Sequence, residues 1–480
     1  MQARIHSFCH CACICFPAGH PFLHPPMLLD PSLRRVAASA LLLLLPACGS
    51  STDVPPPAPP APPPGPPEQT QAGWLQANAH PIRTLSVADR DFSDLQPLKT
   101  AIGSARVVML GEQSHGDGTT FLAKARLIAF LHREMGFDVL AWESGLWDVR
   151  QVWQHVQAGE GVLPASRRGI FGIWTGSQEV LPTLDYVAET VGTPRPLELA
   201  GFDNQLTGTL ARDSLHLLME RFARRIGSTV PDDPAWPATA EILHHLAVAN
   251  DFVTKPPATD QANLLRLLAA LRADATAKAG ADRDALFWAQ ALESIASLAQ
   301  LIWATTPGQF SPQDYDPRDA QMARNLVWLA NVYYPGKKII AWAASVHIAR
   351  NVASLKSSDG YQPYGVAGGW TVHMGGEAYQ TLGAQMYAIG FTAANGISGA
   401  VGSPPVPLPD VRPGSLEAAF RDAGLVNAFV DLRSPPAGGE WLRNVYARPF
   451  GYYDLSGDWT RVLDGMVFTR DMINSTLATR

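Results

Sequence analysis

The chain has 480 residues, with 37 Lys and Arg against 43 Asp and Glu, for a formal net charge of -6. That mildly acidic balance argues against an electrostatic nucleic-acid binder, which needs a basic face. No apolar run reaches the roughly 18 residues that a spanning helix requires, which argues against a multispan chain, and a hydrophobic share of 46% leaves ample material for a core. The length allows about three domains at about 150 residues each, or one large α/β domain with insertions. Cys9, Cys11, Cys13, Cys15 and Cys48 are the five cysteines, so beyond Cys48 neither a disulfide nor a thiolate metal site is available and the body is held by packing.

From Met27 the chain reads as an export signal. Arg34 and Arg35 supply a positive region, Val36 to Leu45 a short apolar stretch, and Leu45-Pro46-Ala47-Cys48 ends it. Leu-x-Ala-Cys resembles a bacterial lipobox, in which Cys48 is lipidated and becomes the mature N-terminus. Residues 1–48 are therefore expected to be a signal region whose true start is Met27. The expected product is an exported lipoprotein, touching a membrane through its lipid only and facing the periplasm or cell surface. Residues 49–73 form a linker dominated by proline from Pro55 to Pro67. Such a tract stays extended and cannot build a core.

The folded region is expected over 74–480, starting near Trp74. Arg106 to Leu110 reads as a buried strand, and Gly118 to Met135 as a helix with apolar residues at Phe121, Leu122, Ala125, Leu127, Ile128 and Leu131. Gly136 closes that helix. Asp138 to Trp142 reads as a second strand and Leu146 to Gln157 as a second helix, a βαβ unit that implies parallel pairing. Leu197 to Ala200 is a third strand. A helical insertion follows over about 208–334, its last helix expected to open with Asp316 as N-cap and Pro317 at the first position. Lys337 to Ala344 is a fourth strand, Gln380 to Phe391 a helix and strand, and Ala428 to Leu432 and Met466 to Thr469 late strands. The predicted class is α/β: a parallel-type sheet with flanking helices and a large helical insertion between the third and fourth core strands.

In such sheets ligands bind at the carboxyl ends of the strands. The first strand leaves Gly111-Glu112-Gln113-Ser114-His115-Gly116, the second ends at Glu143, the third leads to Asp203, and the fourth to His347 and Arg350. Four separate segments thus bring acids and imidazoles to one sheet edge. Hydrolysis of an ester at neutral pH needs a base for water, and His, with a reference pKa of about 6.5, suits the task. A carboxylate beside it, Glu112 or Glu143, fixes the tautomer. His347, Lys124 or amides at the start of the helix after Gly116 are candidates for meeting an oxyanion.

The ordered set GEQSHG over 111–116, Lys124, Gly136-Phe137, Glu143, Gly201-Phe202-Asp203, Trp342 to His347, Gly383, Tyr387 and Gly390-Phe391 resembles the erythromycin esterase family over about 85–470. That resemblance implies an α/β core with a helical insertion, hydrolysis of a macrolide lactone, and no nucleophilic serine or cofactor. It implies His115 as the base, with Glu112, Glu143 and His347 beside it. Lys124 takes a basic position often held by Arg, and Arg350 falls where some members place a second His. With Asp203 and Trp174, these two are expected to meet a small-molecule ester or macrolide.

Other readings of the same residues stand beside this one. Ser114 lacks the Gly-x-Ser-x-Gly setting of an elbow nucleophile and suits a helix cap. Glu112, His115, Glu143, Asp203 and His347 are all legitimate metal ligands, which leaves a metal-dependent hydrolase open. A non-catalytic binding lipoprotein is the alternative from another class. His132, His155, His244, His245 and His373 are read as surface or helix-face residues.

Overall fold

The computed structural model describes residues 70–249, 255–305, 314–357 and 370–480. The expected signal region with Cys48 and most of the proline-rich linker lie outside the described residues. Residues 70–73 are not linker: Thr70 accepts from the Gly73 amide at 3.1 Å and caps the helix Gln71–Asn78.

Among the described residues the central sheet has nine strands. Those that concern the site are β1 (Val107–Leu110), β2 (Phe137–Gly145), β3 (Glu198–Asp203), β4 (Lys338–Trp342), β5 (Met386–Ser398), β6 (Asn427–Asp431) and β7 (Gly465–Met472). Their order is β6-β7-β5-β1-β4-β2-β3. All neighbours pair in parallel except β6, which runs antiparallel to β7. This is the α/β class the sequence predicts. Every residue of β1 is buried, as expected of a strand covered on both faces, which reads as an unbroken apolar run.

The first and second strands are parallel but not partners, contrary to the expectation for the βαβ unit. β4 lies between them and pairs with both. A crossover helix constrains handedness and direction, and leaves room for a later strand to enter the gap. Trp142 of β2 and Trp342 of β4 sit opposite each other and stack at 4.6 Å, pinning the inserted strand.

Helix α1 (Gly118–Met135) follows β1 and stops at Gly136, whose φ of 73° is left-handed and favours a residue without a side chain. α2 (Leu146–Gln157) follows β2, and the one-turn helix α3 (Gly172–Thr175) carries Trp174. The insertion between β3 and β4 comprises α4 (Thr209–Arg225), α5 (Trp236–Ala249), α6 (Ala258–Lys278), α7 (Arg283–Ala304) and α8 (Tyr315–Trp328). By length and composition α7 is apolar enough to span a bilayer, although Gln290, Glu293 and Ser294 interrupt its apolar run. Its apolar residues are used inside the protein: Trp288 packs between Trp147 and Phe222 at ring distances of 6.2 and 5.1 Å.

Three local expectations are corrected. α8 begins at Tyr315, so Asp316 lies within its first turn and uses its carboxylate to accept from the Thr371 and Val372 amides at 2.8 Å. Ser114 caps no helix; its hydroxyl accepts from the Gly116 amide at 3.2 Å inside a turn. His373 is buried and precedes a helix rather than lying on the surface or on a helix face, stacked on Trp370 at 4.8 Å, whereas His132 does lie on a face of α1, a buried one, bonded to the Tyr186 hydroxyl at 2.6 Å.

Candidate active site

Because β1, β4, β2 and β3 run in one direction, their carboxyl ends meet at one edge, and the chain leaves each with a charged side chain. At β1 the chain turns through Gly111. A Cβ there would collide with Ser345 at the start of the short helix α9 (Ser345–Ile348). That close approach lets the Ser345 amide donate to the Glu112 carbonyl at 2.8 Å, tying the β1 and β4 exits together.

Glu112 is fully buried and its carboxylate is the hub of the first half of the site. Oε1 accepts from His115 Nδ1 at 2.7 Å and from Trp174 Nε1 at 3.1 Å, and Oε2 accepts from Lys124 Nζ at 2.6 Å. Lys124 lies over the Trp342 ring at 4.1 Å and is sealed from solvent. Burial pushes its ammonium down to about 8, although Glu112 beside it favours the charge. The His115 side chain keeps 20% exposure, and an edge of its ring meets Trp174 at 5.4 Å. With Nδ1–H donated to Glu112, neutral His115 carries its lone pair on Nε2, the form a general base requires.

The second half forms around Glu143 and His347. Glu143 Oε1 faces His347 Nε2 at 3.1 Å and accepts from Arg318 at 2.9 Å, while Oε2 accepts from the Ala344 amide at 2.9 Å. His347 Nδ1 donates to Asp319 at 2.9 Å. Arg318 also donates to Asp203 at 2.6 and 3.2 Å. Burial opposes a charge on His347, but Asp319 and Glu143 on either side overcome it and raise the ring to about 10, so it is an imidazolium at neutral pH. Burial also works against the Glu143 carboxylate. The His347 and Arg318 charges nonetheless hold it well below the usual carboxylate range, with His115 contributing to the same field. The two halves therefore interact electrostatically, and the Ala343–Ala344 backbone lies between them, its carbonyl bonded to Lys124 at 3.3 Å and its amide to Glu143.

Of the residues expected from sequence, Glu112, His115, Lys124 and Trp174 share one cluster, and Glu143, Asp203 and His347 share its neighbour. Lys124 stands behind Glu112 rather than beside an opening. Trp174 holds Glu112 through its indole. Arg350 joins neither cluster: its guanidinium forms a two-pronged pair with Asp464 at 2.8 and 3.2 Å. Arg318 and Asp319, which complete the second cluster, were not singled out from sequence. Their signal was a helix whose buried face carries Arg318, Asp319, Gln321 and Asn325, polar groups that burial makes costly unless they are paired.

The acidic oxygens are already engaged, Glu112 by Lys124 and the His115 ring N–H, Glu143 and Asp203 by Arg318, and Asp319 by His347. Among the described residues no group of three or more His, Cys, Asp or Glu side chains is arranged to hold an ion. The donor set thus fits proton transfer and charge stabilisation better than a metal.

The sequence profile of the erythromycin esterase family matches residues 132–472. The chain belongs to the erythromycin esterase family. YbfO of Bacillus subtilis (strain 168), a hydrolase by provisional name, is 26% identical to this family member over 437 residues, covering 84% of this chain and 91% of its own. Erythromycin esterase type II of Escherichia coli is 24% identical over 429 residues, covering 82% and 96%. A solved structure of an erythromycin esterase mutant, EreC, in its open conformation superposes with a TM-score of 0.61 at 18% identity, over 82% of this chain and 98% of that one, and so shares the fold. Family and relatives together support hydrolase chemistry. The Glu112–His115 turn precedes the profile match.

Proposed function

We propose that this family member hydrolyses an ester or a macrolide lactone with water activated by His115. The observation that carries the reading is the 2.7 Å bond between a partly exposed His115 ring and a fully buried Glu112 carboxylate. Water attacks the carbonyl carbon while Nε2 of His115 takes its proton, giving a tetrahedral oxyanion and an imidazolium. The C–O bond to the alcohol then breaks, and His115 returns its proton to the leaving oxygen. Glu112 stabilises the imidazolium between the two steps, and Lys124 and Trp174 keep the carboxylate in place. The His347 and Arg318 side chains stand at the same sheet edge, their charges balanced by Glu143, Asp203 and Asp319.

The macrolide as substrate class follows the name of the E. coli relative and is part of this proposal, as are export and lipid attachment at Cys48. The test is mass spectrometry of erythromycin and of a panel of simple esters incubated with the protein, with and without chelator. Gain of one water that survives chelation supports the reading. Loss of activity on chelation favours a metal-dependent hydrolase, and ligand binding without turnover favours a binding lipoprotein. His115→Ala should lower the rate about 10²–10⁴-fold with the fold intact, the range that general-base catalysis supplies. Metabolic labelling with a fatty acid, lost in Cys48→Ser, tests the anchor.

A further inference from the structure

The segment after β7 crosses the site instead of leaving the protein. The Ile473 carbonyl accepts from the Gly118 amide at 2.8 Å, and the Ser475 amide donates to the Gly116 carbonyl at 2.9 Å. These contacts bracket the turn that carries His115. On its other side the same segment meets the stretch after Trp174. The Ser475 hydroxyl bonds Ser177 at 2.7 Å, the Thr476 carbonyl accepts from Gln178 at 2.9 Å, and the Ala478 amide donates to Gly176 at 2.8 Å. Glu179 locks the join, its carboxylate accepting from the Thr476 amide at 2.8 Å, the Thr476 hydroxyl at 2.6 Å and the Ser177 hydroxyl at 3.1 Å. Ser475, Ser177 and Glu179 are all buried.

These contacts close a ring. The His115 turn is bonded to Glu112, Glu112 to the Trp174 indole, Trp174 through its own carbonyl to the Ser177 amide at 3.0 Å, and Ser177 through Ser475 back to Gly116. Two short irregular segments that have no regular ladder of their own are therefore held at a set distance by a third. We propose that Ile473–Thr479 is a positioning segment of the site, with Ser475 and Glu179 as its positioning residues, that keeps His115 and Trp174 converged on Glu112. Exposed loops lacking such ties open locally at low cost, and a general base displaced by about 1 Å loses much of its effect.

This inference rests on the proposed role of His115, so its test has a readout independent of turnover. In the full chain, Glu179→Ala removes two bonds to the segment and one to Ser177 while leaving the Glu112 cluster untouched, and Glu179→Gln retains an acceptor. Hydrogen exchange followed by mass spectrometry should show loss of protection in Glu179→Ala for peptides spanning 113–118 and 174–179, with the β1, β4 and β2 peptides unchanged. Turnover should fall at least tenfold in kcat with KM changed less than twofold, and Glu179→Gln should recover most of it. Unchanged exchange over 113–118, or protection lost equally throughout the sheet, would overturn the proposal. An unmodified protein inert toward every ester would overturn the functional reading alone, and the exchange result would still decide the segment's role.

Discussion

Arg318 is the side chain whose removal the structure makes most consequential. Its guanidinium is 11% exposed and donates to two buried carboxylates, Asp203 at 2.6 Å and Glu143 at 2.9 Å. Arg318→Ala leaves both acids without this partner, with the His347 imidazolium still beside Glu143. Breaking one side of a buried ion pair costs about 3–5 kcal/mol, because the remaining charge stays desolvated and uncompensated. Measured against a total of about 5–15 kcal/mol, that is a large share of the stability. Arg318→Lys keeps the charge but not the fork, and a loss of about 1–3 kcal/mol is expected. The assay is urea unfolding followed by both tryptophan fluorescence and far-ultraviolet circular dichroism, with the midpoints required to coincide. Adding Asp203→Asn to Arg318→Ala removes the orphaned charge and should restore part of the loss. An Arg318→Ala protein within about 1 kcal/mol of the original, or no recovery in the double variant, would refute the claim that this cluster is electrostatically coupled.

Three shorter predictions follow from the same geometry. The His347 ring is raised from 6.5 to about 10, so the stability it contributes is fully present below about pH 6.5 and is lost as pH rises toward about 10. The gap in melting temperature between the original protein and His347→Gln should narrow steadily across that range, and a gap independent of pH counts against a charged ring. A Cβ on Gly116 would run into the Gly399 backbone, so Gly116→Ala should shift the His115 turn and lower kcat at least tenfold, measured beside an unchanged circular dichroism spectrum. Trp174→Phe keeps the ring and removes the indole bond to Glu112, for which a loss of about 1–3 kcal/mol is expected from unfolding midpoints, with a larger proportional effect on kcat than on KM.

Much of this site was legible before any coordinates. Glu112, His115, Glu143, Asp203 and His347 were found because a parallel sheet delivers the residue after each strand to one edge, and strands and turns are local patterns. Lys124 was found as well, but its position behind Glu112 was not, because helical spacing states which face a residue occupies and not what lies across from it. Arg318 and Asp319 escaped notice because they belong to the insertion, whose helices look like ordinary amphipathic packing until one end is seen to fold back over the sheet. Arg350 lies near His347 in sequence, yet three residues are enough to turn its guanidinium toward Asp464, just ahead of β7.

The amino-acid order alone determined the α/β class, the limits of helices such as Gly118–Met135 and Leu146–Gln157, and the kinds of groups at the strand ends. All of these follow from short-range periodicity and backbone preference. Only the tertiary structure decided that Lys338–Trp342 separates the first two strands, that Arg318 joins Glu143 to Asp203, and that Ser475 ties the His115 turn to the stretch after Trp174. Those outcomes depend on pairings between residues more than a hundred positions apart. Their energy comes from burying charge and backbone amides together, and no local pattern in the chain encodes such a pairing.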